Sequence, residues 1–257
     1  MPQKAVFVSD LHLVGADDPK TQLFTTYLRA LLEQRVGASS LDGVALTQLF
    51  LVGDIFDLWV ADHDYFAIKF AGVVRAIRDL VQSGVEVHYF EGNHDLHLSE
   101  FWSEKIGVIV HADGATFEIN KLKVRVEHGD LINPDDHGYL FLRKFLRSAP
   151  LSFLAHHLPE RAVQAIGERA SRASRDYTSN AKSKPTDEIR TLIRKHASEQ
   201  HDRSEFDLII TGHVHVSDDF TFEVGGAKVR SINLGSWFEP PRALVMDSAG
   251  IHFEAVV

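Results

Sequence analysis

The chain has 257 residues, 27 Lys+Arg against 36 Asp+Glu for a net charge of −9, and no cysteine. A hydrophobic fraction of 44% with 25% charged residues excludes a disordered, collagen-like or coiled-coil chain, and the length suits one α/β domain better than two. Without thiols there is no disulfide, thiolate metal site or cysteine nucleophile, and the acidic balance argues against a general nucleic-acid binder.

In chain order, Ala5–Ser9 reads as a buried strand, Thr21–Arg35 as a helix stopping at Gly37, and Leu46–Val52 as the next strand. A helix over Tyr65–Gln82, ending at Gly84, and a strand over Val85–Phe90 continue a β-α-β-α-β rhythm, the mark of a partly parallel sheet. Gly107–Val110, Ala115–Ile119 and Lys123–Glu127 are short and closely spaced, which predicts antiparallel hairpins. After a second helical region, Asp207–Thr211, Phe220–Val224, Val229–Asn233, Ala243–Met246 and Ile251–Val256 read as strands. Two sheets sandwiched between helices accommodate the whole set. No apolar run reaches the roughly 18 residues of a membrane span. Met1-Pro2-Gln3-Lys4 leads straight into Ala5-Val6-Phe7-Val8 without a signal-peptide layout, so the expectation is a cytoplasmic protein.

The segment 134–184 stands apart, with nine Lys/Arg and five Asp/Glu, an excess of +4 that leaves about −13 on the rest of the chain. Pro150 and Pro159 divide its apolar first part into short helices. It reads as a helical pair packed on the main domain, as an amphipathic cap for greasy, anionic ligands or a membrane surface, or as both.

Fifteen histidines are many for this length. Those that matter fall in four of five polar clusters, most of them directly after strands: Ser9-Asp10-Leu11-His12, Gly53-Asp54-Ile55-Phe56-Asp57, Gly92-Asn93-His94-Asp95, His128-Gly129-Asp130 and Gly212-His213-Val214-His215. Asp-x-His is cheap; Gly-Asn-His-Asp has a chance expectation on the order of one in several hundred. The clusters recur in order at strand C-termini, where α/β folds place ligand sites. Imidazole, carboxylate and amide donors without thiolate suit divalent Mn, Fe, Zn or Ni. Two such ions about 3.5–4 Å apart support in-line displacement at phosphorus. His63, His88, His97, His111, His196, His201 and His252 lack a partner motif and read as surface or satisfied side chains. Asp57 and Asp130 sit beside ligand candidates, either as supports of a metal-bound imidazole or as turn-forming acids.

This ordered set resembles the calcineurin-like metallophosphoesterases, from residue 5 to about 235. The resemblance implies an α/β/β/α sandwich: two packed mixed β-sheets flanked by helices, one catalytic domain over 1–257 with a helical cap insertion at 134–184. It further implies two divalent ions, manganese first, one held by Asp10, His12 and His215, the other by Asn93, His128 and His213, with Asp54 bridging. His94 would sit over the phosphate and protonate the leaving oxygen, and Asp95 would orient it.

Asp130-Leu131-Ile132-Asn133-Pro134-Asp135-Asp136-His137-Gly138-Tyr139, followed by Phe141 and Arg143, is similar to one subgroup, the UDP-diacylglucosamine pyrophosphohydrolases of lipid A biosynthesis; so is Gly53-Asp54-Ile55-Phe56-Asp57-Leu58-Trp59. That resemblance implies a UDP-linked acylated sugar as substrate, UMP and a diacylated sugar phosphate as products, and peripheral contact with the inner membrane surface. Phe141, Phe145 and Phe153 would line an acyl groove. Tyr139, Arg143, Ser174 and Arg175 are the substrate-contact candidates, with Arg172, Lys182 and Lys184 as further cations. One departure stands out: where well-known members of the subgroup have arginine, this chain has His94, a group that can donate a proton instead of acting as a permanent cation. A soluble phosphoesterase acting on another nucleotide pyrophosphate or a small phosphodiester is the alternative. A membrane-surface binding module whose metals only brace loops is the non-enzymatic one.

Overall fold

The computed structural model describes residues 3–37, 45–159, 185–237 and 240–257, together with 162 and 165. Strand β1 (Lys4–Val8) shows how its sequence builds the layers. Alternate side chains point to opposite faces of a strand. Ala5 and Phe7 therefore enter one core with Phe50, Ile210 and Ile232, while Val6 and Val8 enter another with Phe24, Leu28 and Ile77. The first core lies between two sheets; the second lies under helices α1 (Pro19–Gly37) and α3 (Ala71–Gln82).

The larger sheet contains β1, β2 (Leu46–Leu51), β4 (Glu86–Phe90), β6 (Ile109–His111), β12 (Arg242–Asp247) and β13 (Gly250–Ala255), in the order β13-β12-β1-β2-β4-β6. The smaller contains β7 (Ala115–Ile119), β8 (Leu122–Val126), β9 (Leu208–Thr211), β10 (Asp218–Val224) and β11 (Ala227–Asn233), in the order β10-β11-β9-β8-β7. Helix α6 (Thr186–Arg203) covers its far face through Ala197, beside Ile209 and Val229. The expected two mixed sheets flanked by helices are present.

Two sequence expectations need correction. The helix expected over Tyr65–Gln82 is two: α2 (Asp64–Lys69) and α3, broken at Phe70, where φ is −114° and ψ 29°. The break turns the Phe70 ring into an aromatic core, 4.5 Å from Phe56, alongside Trp59 and Trp102. The strand expected at Gly107–Val110 forms no hairpin. It is β6, pairing parallel with β4 at the sheet edge. The connecting Ser99–Ile106 is a π-helical segment that buries Phe101, Trp102 and Ile106 and serves as the crossover a parallel pair needs. Short spacing signalled a hairpin because that crossover has no α-helical period. The expected hairpin does form at β7–β8.

Within 134–184, α4 (His137–Leu146) and α5 (Ala149–His157) are the expected short helices, with Pro150 in the first turn of α5. The Asp136 side chain caps α4 by accepting from Tyr139 N at 2.9 Å. His63 Nε2 lies 2.7 Å from the Ala155 carbonyl and His97 Nε2 3.0 Å from that of Leu146, so these histidines tie the helix pair to the body.

On the other side, α6 is fastened to β8 by one buried cluster. Glu127 accepts from Arg125 Nε at 2.9 Å and pairs with His196 Nε2. Burial pushes the Glu127 carboxyl up, but the hydrogen bond and charge of His196, with Arg125, hold it below its ordinary value of 4.5. Its folded-state pKa being depressed, Glu127 contributes stability above about pH 4.5 that is lost as pH falls through the folded value. Glu127→Gln should cost about 3 kcal/mol at pH 7, and its Tm deficit should shrink in unfolding curves taken toward pH 3. A deficit that stayed constant with pH would contradict the assignment.

Candidate metal centre

All five polar clusters lie just beyond the C-terminal ends of parallel strands, three following β1, β2 and β4 and two following β8 and β9. The two sheets thus deliver them to one edge of the sandwich. A short parallel pair not foreseen from sequence, β3 (Trp59–Val60) with β5 (Asp95–Leu96), holds the second and third clusters together, with Trp59 N donating to the His94 carbonyl at 2.9 Å.

Asp10, His12 and His215 form one group and Asp54, His128 and His213 another; His12, Asp54 and His94 link them, ligand atoms within each group lying within 4.8 Å of one another. His12 Nε2 is 3.2 Å from His215 Nε2, and His213 Nδ1 is 3.2 Å from His128 Nε2. Asn93 Oδ1 joins the second group at 3.4 Å from His128 Nε2. Asp54 stands between the two: Oδ2 is 3.8 Å from His12 Nε2 and 3.6 Å from His128 Nε2. Its Oδ1 accepts from Asn93 N at 2.9 Å and His94 N at 3.0 Å, which fixes the carboxylate.

These residues fit divalent ions. Ligands about 2.1 Å from one ion are about 3.0–3.4 Å apart at octahedral to tetrahedral angles, the separation of both imidazole pairs. Asp10 Oδ1 is buried and 3.3 Å from His215 Nε2, without a well-formed hydrogen bond among the described residues. Burial lowers His12 and His213 to about 4, leaving neutral rings with a lone pair for a metal. Burial also opposes charge on His128, but the carboxylates of Asp54, Asp10 and Asp130 outweigh it and lift this ring to about 9. A field that draws a proton onto a buried imidazole also suits a cation. His128 Nδ1 must donate to the Val52 carbonyl, 2.9 Å away, which turns Nε2 toward the cluster.

The backbone at these positions is unusual. Asp10, His12, Asp54, His213 and His215 all have φ between 48° and 69°, a left-handed conformation that non-glycine residues adopt at a cost of about 1–3 kcal/mol each.

Asp95 does not orient His94 as expected. Its Oδ1 accepts from Asp54 N at 3.0 Å and Gly92 N at 2.7 Å, its Oδ2 from Ile55 N at 2.9 Å and Tyr89 OH at 2.7 Å. These four donors match a carboxylate's capacity. Asp95 therefore staples two loops, while His94 Nδ1 donates to the Asp57 carbonyl at 2.8 Å and the ring stands with His12 and Asp54. The Asp57 main chain supplies this support.

Arg143 and Tyr139 also differ from expectation. Arg143 Nε binds Asp130 Oδ2 at 2.5 Å and Nη2 binds Asp113 Oδ1 at 3.0 Å, so its guanidinium is engaged within the protein. The Tyr139 hydroxyl donates to Asp130 Oδ2 at 3.2 Å, and its ring lies 5.5 Å from that of His213. Asp130 is thus an anchor for α4. Ser174 and Arg175, like Arg172, Lys182 and Lys184, lie outside the described residues.

Three supports escaped sequence reading. Ser9 Oγ donates to Asp10 Oδ2 at 2.5 Å, Asn233 Nδ2 donates to the Gly212 carbonyl at 2.8 Å, and Arg147 reaches the carbonyls of Glu91 and Gly92. Ser9 adjoins Asp10 in sequence and was findable; Asn233 and Arg147 come from distant segments with no motif.

The sequence from residue 4 to 217 matches the family described as calcineurin-like phosphoesterase. The chain belongs to that family. It is a hydrolase, and the family implies divalent metals at the centre just described. Similar curated proteins include the UDP-2,3-diacylglucosamine hydrolase of Stenotrophomonas maltophilia, 30% identical over 95% of each chain. The protein of that name from Vibrio parahaemolyticus is 26% identical over 97% of this chain and 96% of its own. A solved archaeal phosphodiesterase aligns over 99% of both chains at 17% identity with a TM-score of 0.43.

Proposed function

We propose that this hydrolase cleaves the pyrophosphate of UDP-2,3-diacylglucosamine, giving UMP and 2,3-diacylglucosamine 1-phosphate. The observation that carries the substrate is the apolar face of the helix pair: Phe141, Phe145 and Phe153 are 75%, 53% and 65% exposed, with Leu142 and Leu154 also exposed. Soluble surfaces rarely present such a group without a ligand or partner. A small hydrophilic ester would have no use for it, whereas acyl chains would. The names of the full-length relatives agree.

In this reading Asp10, His12 and His215 hold one divalent ion, Asn93, His128 and His213 the other, and Asp54 serves both. When bound, such ions polarise phosphate oxygens and acidify water. The protein's own groups do the rest. The Val52 and Asp57 carbonyls set the tautomers of His128 and His94. His94 would serve as the acid, an Nε2–H giving its proton to the departing oxygen while Nδ1–H stays on the Asp57 carbonyl. Manganese is the metal we assign, and the exposed aromatic face is the part we assign to the membrane surface.

Phosphorus NMR with Mn²⁺ tests the reading. UMP should form from UDP-2,3-diacylglucosamine and not from UDP-glucose or a simple phosphodiester. Turnover of the simple ester with the lipid untouched would leave the family intact and overturn the substrate.

A further inference from the structure

The side-chain hydrogen bonds from α4 and its C-terminal end converge on one half of the metal centre. Arg147 Nη2 donates to the carbonyls of Glu91 at 3.1 Å and Gly92 at 3.3 Å, immediately before Asn93. Its Nη1 binds the Ala112 carbonyl and lies 3.7 Å from Glu91 Oε2. Arg143 and Tyr139 close on Asp130, two residues beyond His128, and the Tyr139 ring lies beside His213. Asn93, His128 and His213 are the residues assigned above to the second ion. The hydrogen bonds to Asp10, on the other half, come from the body: Ser9 Oγ at 2.5 Å and His213 N at 2.9 Å.

We propose that Tyr139, Arg143 and Arg147 are positioning residues through which the helix pair selectively sets the affinity of the second metal position. The inference rests on the two-ion reading. Its physical basis is that groups behind a ligand fix its orientation, and their loss commonly lowers metal affinity about 10–100-fold. Arg147 holds the peptide leading into Asn93, and Arg143 holds the turn leaving His128. Coupling is reciprocal: whatever draws the helix pair down, including an acylated substrate on Phe141 and Phe145, tightens the second ion, and that ion in turn orders the helix pair. Ion loading and substrate capture become one cooperative event.

The test separates the two positions by removing one at a time. His215→Ala leaves the second position and His213→Ala leaves the first; Mn²⁺ binding to each is followed by the EPR signal of the free ion. Adding Arg147→Met should weaken Mn²⁺ about tenfold in the His215→Ala background and less than about twofold in the His213→Ala background. Arg143→Met should behave alike through Asp130, and Arg147→Lys should restore part of the loss. Equal losses in both backgrounds, or none, would overturn the coupling while leaving the two-ion reading in place. If the parent protein bound fewer than two Mn²⁺, the two-ion reading itself would fall. Should Arg147→Met not fold, Arg143→Met and Tyr139→Phe carry the same comparison.

Discussion

Asp54→Ala should lower turnover at saturating Mn²⁺ by a factor of about 10³ or more. The expectation follows from the two faces of this carboxylate. One oxygen is fixed by Asn93 N and His94 N, and the other stands 3.8 Å from His12 Nε2 and 3.6 Å from His128 Nε2, within reach of both halves of the centre. Alanine would remove the carboxylate proposed to serve both ions and leave two backbone donors unpaired. Bound Mn²⁺, counted after equilibrium dialysis, should drop with the rate. His94→Ala, which would remove the proposed proton donor and no ligand assigned to either ion, should cost less, about 10²-fold. Near-normal turnover of purified, folded Asp54→Ala would end the two-metal account.

The second large effect is expected at Gly92, whose importance comes from space. A Cβ there would lie 2.1 Å from Asp54 Oδ1, 2.6 Å from Asp54 N and 2.6 Å from Asp95 Oδ1. None of the three can retreat cheaply, since Asp54 is held by two amides and Asp95 by four donors. Gly92→Ala should therefore destabilise by more than about 4 kcal/mol and abolish activity in whatever protein folds. Gly138→Ala on α4, where the nearest atom is Asp136 Oδ1 at 3.7 Å, should stay within about 0.5 kcal/mol of wild type. Paired thermal melts decide it, and similar Tm values for the two variants would refute the packing argument.

What could be read from the sequence depended on how local the cause was. Strands such as Leu49–Leu51 are buried on both faces and announce themselves by unbroken apolar residues. The five clusters were legible because each ligand lies within a residue or two of another polar group and just after a strand. Phe70 could not be read as a helix break, because the cause is a ring packing on Phe56 from elsewhere in the chain. β6 was misread because its partner, β4, is separated by the π-helical crossover rather than by a turn. Asp95 was misassigned because sequence adjacency to His94 says nothing of direction: the side chain points back to Asp54, Ile55 and Tyr89. Arg143, a substrate-contact candidate by resemblance, carries no local sign of its engagement, because its carboxylate partners, Asp130 and Asp113, belong to other loops.

The left-handed backbone at Asp10, His12, Asp54, His213 and His215 also bears on how such a protein would change over generations. Together these residues hold about 5 kcal/mol or more of strain, comparable to the whole net stability of an ordinary domain, about 5–15 kcal/mol. Glycine or asparagine would relieve much of it at each site. A lineage released from selection for hydrolysis would therefore drift at these five positions first, becoming sturdier as it lost its chemistry. The surviving sandwich would be a stable platform open to use as a binding scaffold.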